Sequence, residues 1–454
     1  MLKQILPKAL TLSVCCILAS SGIQNCCAEE STMTIPLQQG SVSSNEQVID
    51  LSRPTQSVDN VKSVNLSEND AFYHLISASD RFVQCNIRAA WNDFRDLINS
   101  VEPNDFVYLS VAKKMSELGF FDLANLAISK ISDKELASVP IDEMKRFYFP
   151  KKKLKLSDEL FLAENYSNIM YNDQSAEAAN ELLKNTNLIS TSDYANYLVA
   201  LASYKSDFNE NAMRHISMAI TQNPYNLNYV RLKAKIIADS KTPQDALKVV
   251  EVLKHQNLAS ADYIRQIKSL EQYVMYKIAK KPWEKTYHLG YHYYLENDSS
   301  KAIRTLQSSL ALSKRKYQQE MIYSLMSEIY LTLDEYEKAG DTAKKAHKLD
   351  SSDVKALITL GDLSYKNQNY KQALKYYKSA SAHDKTAYKP LVNEAKTYQK
   401  LNELEKAEDL YKKVLKTHSD SYEAYYNVAM MQDENSQDRI VYLKKAIAVN
   451  LQYK

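Results

Sequence analysis

The sequence predicts an all-α chain in which about ten helix pairs stack into a solenoid. From Asn69 onward, apolar residues recur three and four positions apart, which is the spacing of one helix face. Only 6 glycines and 10 prolines occur in 454 residues, too few for the many turns of a hairpin-rich β fold. Small and aromatic residues also return in the same order with a 34-residue period, which indicates an internal repeat.

The repeat can be followed through the whole chain as units of two helices. Unit starts are placed at Ala71, Asp105, Glu159, Asp193, Leu227, Trp283, Glu320, Val354, Tyr388 and Tyr422. If the first residue is slot one, slot twenty holds Ala90, Ala124, Ala178, Ala212, Ala246, Ala302, Ala339, Ala373 and Ala407. Slot eight holds Ala78, Ala112, Ala200, Ala234, Gly290, Ser327, Gly361, Ala395 and Ala429, and departs from this pattern at Tyr166. Amphipathicity alone has no memory over 34 residues, so the recurrence indicates a structural unit.

The order of residue types within a unit resembles the tetratricopeptide repeat. The resemblance is carried by Leu357, Leu360-Gly361, Tyr370, Ala373 and Tyr377, together with their equivalents one period away. It implies a right-handed α-α solenoid in which slots eight and twenty lie where paired helices cross. Larger side chains there would push the axes beyond the usual separation of roughly 8–10 Å. One pair cannot bury its apolar face alone, so the pairs must stack.

Two insertions interrupt the period. The first lies within residues 134–157 and contains a predicted short helix, Ile141 to Phe149, followed by the basic run 151–155. We interpret this run as a surface loop, with a site for an anionic partner as the alternative. The second insertion contains a predicted unpaired helix, Leu258 to Ala279, before Pro282. The residues leave open whether this helix continues the stack or breaks it.

The first 28 residues have the pattern of a signal peptide. Lys3 and Lys8 precede or flank an apolar stretch, residues 9–23, that is shorter than the ~20 residues of a membrane span. Cys26 and Ala28 place small residues before a predicted cut ahead of Glu29. We therefore expect export to the periplasm, the cell envelope or the outside of the cell. An uncleaved anchor and a lipoprotein are the alternatives.

The domain organisation follows from these boundaries. We expect a signal peptide at 1–28, a disordered linker at 29–68, an amino-terminal solenoid at 69–258 and a carboxy-terminal solenoid at 259–454. The linker contains eight serines and no aromatic residue, so it cannot bury enough apolar surface to fold. Four of the five cysteines lie in the signal segment, so the mature chain would keep only Cys85 and form no internal disulfide.

The residues give no sign of catalysis, a cofactor or a metal. No glycine-rich phosphate loop, nucleophile elbow or paired CxxC is present in the predicted mature chain. Glu284, His288, His292 and Glu296 follow one another at four-residue spacing, and two histidines so placed can share a metal. The HExxH order is missing, so we favour a surface row of charge and imidazole. The formal net charge is only +3, which gives no reason to expect nucleic acid.

The candidate partner-binding residues come from the resemblance, which implies that slots two, five, nine and twelve of each first helix line a concave groove. An aromatic set comprises Tyr194, Tyr197, Leu201, Tyr204, Tyr287, Tyr291 and Tyr294. A more basic set, with two residues from the adjoining slot, comprises Lys355, Tyr365, Lys366, Lys389, Lys396 and Lys400. We weigh packing and exposure evenly for the tyrosines of the Asp193 unit and favour exposure for those of the Trp283 unit. We favour ordinary surface lysines as the interpretation of this basic segment, with attraction of an acidic partner or an anionic envelope surface as the alternative.

The function expected from the sequence is a non-catalytic scaffold or adaptor that holds a protein or peptide in its groove. The alternative is an envelope protein that binds a glycan or lipid, for instance in polysaccharide assembly or export. Self-association is a further expectation, because the final helix (about Asp438 to Val449) has no capping helix beyond it and should be mobile or covered by a partner. We expect no nucleic acid, and contact with a membrane only through envelope location or an uncleaved signal segment.

Overall fold

A computed structural model describes residues 68–453, except 102–103, 133–136, 241, 257–260, 419–420 and 434–435. The predicted signal peptide, and all but the last residue of the predicted linker, lie outside the described residues. The described part contains 23 helices, numbered α1 to α23 in chain order, and no strand. None of these helices is both long and apolar enough to span a bilayer. The all-α prediction is confirmed.

Ten helix pairs follow the predicted units, and three further helices lie between units. The pairs are α1 Glu68–Val83 with α2 Ile87–Ser100, α3 Asp105–Leu118 with α4 Phe121–Ser129, α6 Leu156–Tyr171 with α7 Ser175–Lys184, α9 Asp193–Lys205 with α10 Asn209–Gln222, α11 Leu227–Ala238 with α12 Pro243–Lys254, α14 Pro282–Leu295 with α15 Ser299–Leu312, α16 Lys316–Thr332 with α17 Tyr336–Leu349, α18 Val354–Lys366 with α19 Tyr370–His383, α20 Tyr388–Lys400 with α21 Leu404–Thr417, and α22 Tyr422–Met431 with α23 Gln437–Tyr453. The additional helices are α5 Ser138–Tyr148, α8 Thr186–Thr191 and α13 Ala261–Ile278. Consecutive helices pack on one another along the chain, as a solenoid requires.

The small residues at slots eight and twenty lie at the helix crossings. All nine slot-twenty alanines are buried, with no more than 2% of any of them exposed. A Cβ atom on Gly290 would lie 2.8 Å from Cγ of Leu306, which is closer than carbon atoms pack. A Cβ atom on Gly361 would meet the ring of Tyr377. The predicted steric reason for the 34-residue period, that only small residues fit at the helix crossings, is therefore confirmed.

The turn inside each pair repeats as faithfully as the helices do. Slot fifteen has a positive φ, between 51° and 85°, at Cys85, Gly119, Asp173, Asp207, Asn297, Asp334, Gln368 and Asn402. In most of these turns the next amide donates to the carbonyl of slot eleven, as from Phe208 N to Ser203 O at 2.8 Å. This bond closes a Schellman motif, which ends the first helix and reverses the chain.

Helix α5, in the first insertion, joins the first two units to later ones. Its residues Ile141 and Met144 share a buried cluster with Leu109 of α3. Phe147 is fully buried and stacks on Tyr263 of α13, with ring centroids 3.8 Å apart. The predicted short helix is confirmed, and most of its apolar side chains serve as packing between units. Four lysines of the basic run after it are exposed.

Helix α13, in the second insertion, contacts both the unit that precedes it and the unit that follows it. Tyr273 donates to Asp239 at the end of α11, at 2.8 Å, and Ser269 contacts His292 of α14, at 2.8 Å. The predicted unpaired helix is confirmed, while the division of the chain at 258/259 stays a prediction. The last helix, α23, lies against α5 and α13, so it has neighbours within its own chain that we did not expect.

Candidate functional site

The inner wall is the set of residues at slots two, five, nine and twelve of the first helices. Contacts between units show how these slots come together. Lys355 forms an ion pair with Glu328 at 2.9 Å, and Lys396 forms one with Glu423 at 2.9 Å. In both pairs, slot nine of one unit faces slot two of the next. The first helices thus lie side by side in the described chain, and their side chains form a continuous surface.

The tyrosines of α9 mainly pack between units. Tyr194 is only 5% exposed and meets the ring of Phe121 edge to face, with centroids 5.0 Å apart. Tyr197 is half-buried and stacks on Tyr229 of α11 at 5.0 Å. Burial raises the pKa of Tyr197 to about 12. The packing alternative therefore holds for Tyr194, whereas Tyr197, Leu201 and Tyr204 keep part of their surface open.

The expected exposure of the α14 tyrosines is wrong for two of the three. Tyr287 is 9% exposed and Tyr291 is 7% exposed, while Tyr294 is half-buried. Two ammonium groups lie over the ring of Tyr291, that of Lys268 at 5.2 Å and that of Lys355 at 5.0 Å from the centroid. Lys268 belongs to α13, which packs along α14 and helps to cover this stripe. The place of α13 could not be inferred from the 34-residue period.

The carboxy-terminal wall has mixed charge, so the expectation of a basic wall is wrong. Lys355 and Lys396 are each paired with a carboxylate of an adjacent unit, Glu328 and Glu423. Although burial opposes it, Glu328 and Tyr291 raise the pKa of Lys355 above its usual value. An ammonium paired in this way attracts a further anion less strongly than a free one does.

The other basic residues of the set differ in their surroundings. Lys389 is exposed and makes no ion pair with the described part of the chain, although it lies near Asp362. Lys366 is exposed and lies over the ring of Tyr336, 3.5 Å from its centroid. Lys400 is exposed, and Tyr365 is half-buried with its ring 5.5 Å from that of Tyr370. These residues stay available on the surface.

The acidic half of the wall was not among the residues predicted from the sequence. Asp362 occupies slot nine and accepts hydrogen bonds from Tyr377 Oη at 2.7 Å and Asn393 Nδ2 at 2.8 Å. Burial raises the pKa of Asp362, against the lowering effects of Tyr377 and Lys389. Opposite charges at slot nine and at slot two of the following unit were visible in the sequence. They became meaningful only once those slots were known to face each other.

The histidine row on α14 is a packing surface against α13. His288 Nδ1 lies 2.8 Å from Gln272 Oε1, and His292 Nδ1 lies 2.8 Å from Ser269 Oγ. Burial lowers the pKa of both histidines. Ser269 also donates to Glu296, but Ser269 is fully buried, so its hydroxyl group is closed to a substrate. Among the described residues, no group of three or more His, Cys, Asp or Glu is arranged to hold a metal ion.

Comparison with known proteins matches one segment of the chain to a family model. Residues 364–429 match the family model of the tetratricopeptide repeat. The matched segment spans slots that form the mixed-charge wall, and the helix pairs elsewhere in the described chain repeat the same arrangement. The fold is a tetratricopeptide-type solenoid. Proteins with this repeat are generally non-catalytic scaffolds and typically bind proteins or peptides.

Individual relatives are distant. The BBSome complex member BBS4 of Bos taurus is 25% identical over 154 residues, covering 34% of this chain and 29% of that protein. Among solved structures, the Cut9–Hcn1 hetero-tetramer of APC/C shows 12% identity over 84% of this chain and 81% of that one, with a TM-score of 0.36. MamA shows 18% identity over 36% of this chain and 94% of that one, with a TM-score of 0.31. Such similarity gives no information about partners.

Proposed function

We propose that the chain is a non-catalytic scaffold that holds a segment of another protein along the inner wall of α14 to α22. The supporting observation is the charge pattern of three successive steps between units. Opposite charges face each other from slot nine to slot two, in Glu328 with Lys355, Asp362 with Lys389, and Lys396 with Glu423. The six side chains are half-buried or exposed, so a partner can reach them.

A mixed-charge wall suits a peptide with polar side chains of both signs. A charged side chain of the partner can replace the member of a pair that has the same sign. When the partner leaves, the original pair forms again and the wall is neutral as before. Half-exposed Tyr294 and Tyr365 add flat apolar area with a polar tip, which is favourable at protein interfaces. Opposite charges arranged in register contribute mostly to specificity and to the rate of association.

We also propose that the chain is exported, to the periplasm, the cell envelope or the outside of the cell. The support is the signal-peptide pattern of residues 1–28, with its two lysines, short apolar core and small residues before Glu29. Mass spectrometry of the amino terminus of the protein made in its native cells tests this proposal. Cleavage before Glu29 is the expected result, and a retained Met1 would contradict it.

Photo-crosslinking tests the place of the partner. A photoreactive phenylalanine at Tyr365 should crosslink to a partner in native cells, because this side chain lies on the wall. The same probe at Lys375, exposed on the second helix of the same unit, is the matched control. Equal crosslinking from both positions, or from Lys375 alone, would remove the wall from the proposal.

Charge reversal gives a second readout. Lys389→Glu places a carboxylate beside Asp362 and should weaken the Tyr365 crosslink by about tenfold. Lys371→Glu, exposed on α19, is the control and should leave the crosslink unchanged. A crosslinked glycan or lipid in place of a protein would favour the alternative function. That alternative is less well supported, because Tyr194, Tyr287 and Tyr291 pack against protein.

A further inference from the structure

A second charged site lies on the inner wall where α9, α11, α13 and α14 meet. We call it the α11 site. Its basic members are Lys205, Arg231, Lys235 and Lys277, and its acidic members are Asp239 and Glu296. Interactions among these groups place them together: Lys277 pairs with Asp239, and Lys235 is influenced by the charges of Lys205, Arg231, Asp239 and Glu296. None of the candidate partner-binding residues from the sequence belongs to it, although Tyr204 adjoins it, and Glu296 is shared with the histidine row of α14.

Two cations of the α11 site have hydrogen-bond donors without a partner. Lys235, at slot nine, is half-buried and makes no hydrogen bond or ion pair with the described residues. Arg231, at slot five and one helical turn earlier, donates through Nη1 to Asn228 at 3.0 Å and to Gln266 at 2.5 Å. The Nε–H group of Arg231 is buried with no acceptor in the structure. A buried donor left without an acceptor destabilises the folded chain, and more so when the group is charged.

The neighbouring carboxylates do not serve these donors. Asp239 accepts from Tyr204 at 2.5 Å and from Tyr273 at 2.8 Å, in addition to its bond with Lys277. Glu296 accepts from Ser269 and lies beyond ion-pair distance of Lys235. Although burial opposes it, the charge of Lys235 and the bond from Ser269 lower the pKa of Glu296.

Lys205, the fourth cation of the site, already has a hydrogen-bond acceptor. Lys205 donates to the carbonyl of Ile169 at 2.8 Å. The site therefore lacks one hydrogen-bond acceptor, near Arg231 and Lys235.

We propose that Arg231 and Lys235 bind a carboxylate of an acidic peptide segment. The two residues lie four positions apart, so their side chains project from the same face of α11. The ammonium of Lys235 is partly open to a carboxylate of a partner, and the guanidinium of Arg231, whose buried Nε–H lacks an acceptor, adds positive charge on the same face. Glu296 and Asp239 would repel a dianionic phosphate more strongly than a singly charged carboxylate. This inference rests on the proposed function only in taking the inner wall as the surface that meets partners.

The test is direct titration of the purified mature chain with a defined probe. The probe is a fluorescein-labelled, carboxy-terminally amidated octapeptide of alternating Glu and Ser, followed by fluorescence anisotropy. An octapeptide with Gln in place of Glu is the control ligand. The Glu peptide should bind at least about tenfold more tightly, because each Gln lacks the charge that the site requires. Equal binding of the two peptides would overturn the proposal.

Three variants locate the binding on the protein. Lys235→Met keeps the length of the side chain without its charge and should weaken binding of the Glu peptide by about tenfold. Lys248→Met, whose side chain is 82% exposed on α12, is the control and should change binding less than about twofold. Glu296→Gln removes a competing carboxylate and should tighten binding. An unchanged affinity in both Lys235→Met and Glu296→Gln would contradict the assignment, and the second variant remains informative should the first unfold.

Competition identifies the anion. Free acetate, which carries a single charge, should displace the peptide more effectively than inorganic phosphate at equal ionic strength. The reverse order would overturn the choice of carboxylate. Failure of this titration leaves the Tyr365 crosslink unaffected, so the two proposals can fail separately.

Discussion

Glu159 is the residue whose substitution should change the response of this protein to pH most clearly. It is the first residue of the third unit, is only 1% exposed, and accepts hydrogen bonds from the backbone amide of Asp122 at 3.2 and 3.3 Å. That amide belongs to the first turn of α4, so the carboxyl group links the second unit to α6. Burial, together with the nearby Asp122 carboxylate, raises the pKa of Glu159 to about 8, against the lowering effects of the Asp122 amide and Lys153.

The sign of the effect follows from proton binding. In the folded chain Glu159 keeps its proton up to about pH 8, whereas in the unfolded chain it loses it near pH 4.5. Between these values the folded state binds more protons, so the free energy of unfolding decreases as the pH rises. One proton corresponds to ~1.4 kcal/mol per pH unit, which sets an upper limit of ~5 kcal/mol over this window. Relaxation of the exposed Lys153 loop should reduce the observed loss below that limit.

Urea unfolding at pH 5, 6, 7 and 8 measures this slope. Glu159→Gln keeps an oxygen that can accept from Asp122 and has no charge to lose, so the variant should be less sensitive to pH and more stable than the parent at pH 8. Glu164→Gln, exposed on the same helix, is the matched control and should keep the parental slope. Identical slopes for the parent and Glu159→Gln would refute the reasoning.

Three further predictions concern stability. Gln368→Gly should raise the free energy of unfolding by about 0.5–1 kcal/mol in urea, because φ is 59° there, whereas Lys375→Gly inside α19 should lower it by about 1 kcal/mol. Gly361→Ala should lower it by about 1–2 kcal/mol, since the added methyl group meets a buried ring; a gain equal to alanine's helix propensity would contradict this. A double-mutant cycle on Glu328 and Lys355 should give a coupling below ~1 kcal/mol that decreases at high salt, because both side chains are more than a third exposed; a larger, salt-independent coupling would be inconsistent with an open wall.

The sequence was sufficient to predict the fold because its strongest signal is steric. Ala373 and Gly361 recur at fixed slots since a larger side chain cannot fit at a helix crossing, and such a restriction is visible without coordinates. The positive φ at slot fifteen was harder to see. Aspartate and asparagine are common there, but Cys85 and Gln368 have no such preference, so the residue types do not mark the position by themselves.

The candidate site was less predictable because it depends on which helices lie opposite each other. Tyr287 and Tyr291 cannot be told apart from Tyr294 in the sequence. In the structure the first two are buried in the cluster that α14 forms with the following unit, and Lys268 of α13 also lies over Tyr291. Lys355 and Lys396 looked free because their carboxylate partners lie 27 residues away in the chain. Non-local contacts of this kind are set by the stacking of units, which periodicity describes, and by the insertions, which it does not.

The packing of small residues at helix crossings is tested most directly by one pair of substitutions on α19. Ala373 at slot twenty is fully buried, and Ala382 on the same helix is exposed. In urea unfolding, Ala373→Leu should lose roughly 1–3 kcal/mol through overpacking, whereas Ala382→Leu should stay within about 0.5 kcal/mol of the parent. Equal stability of the two variants would contradict the stacked helix-pair structure on which the inner wall depends.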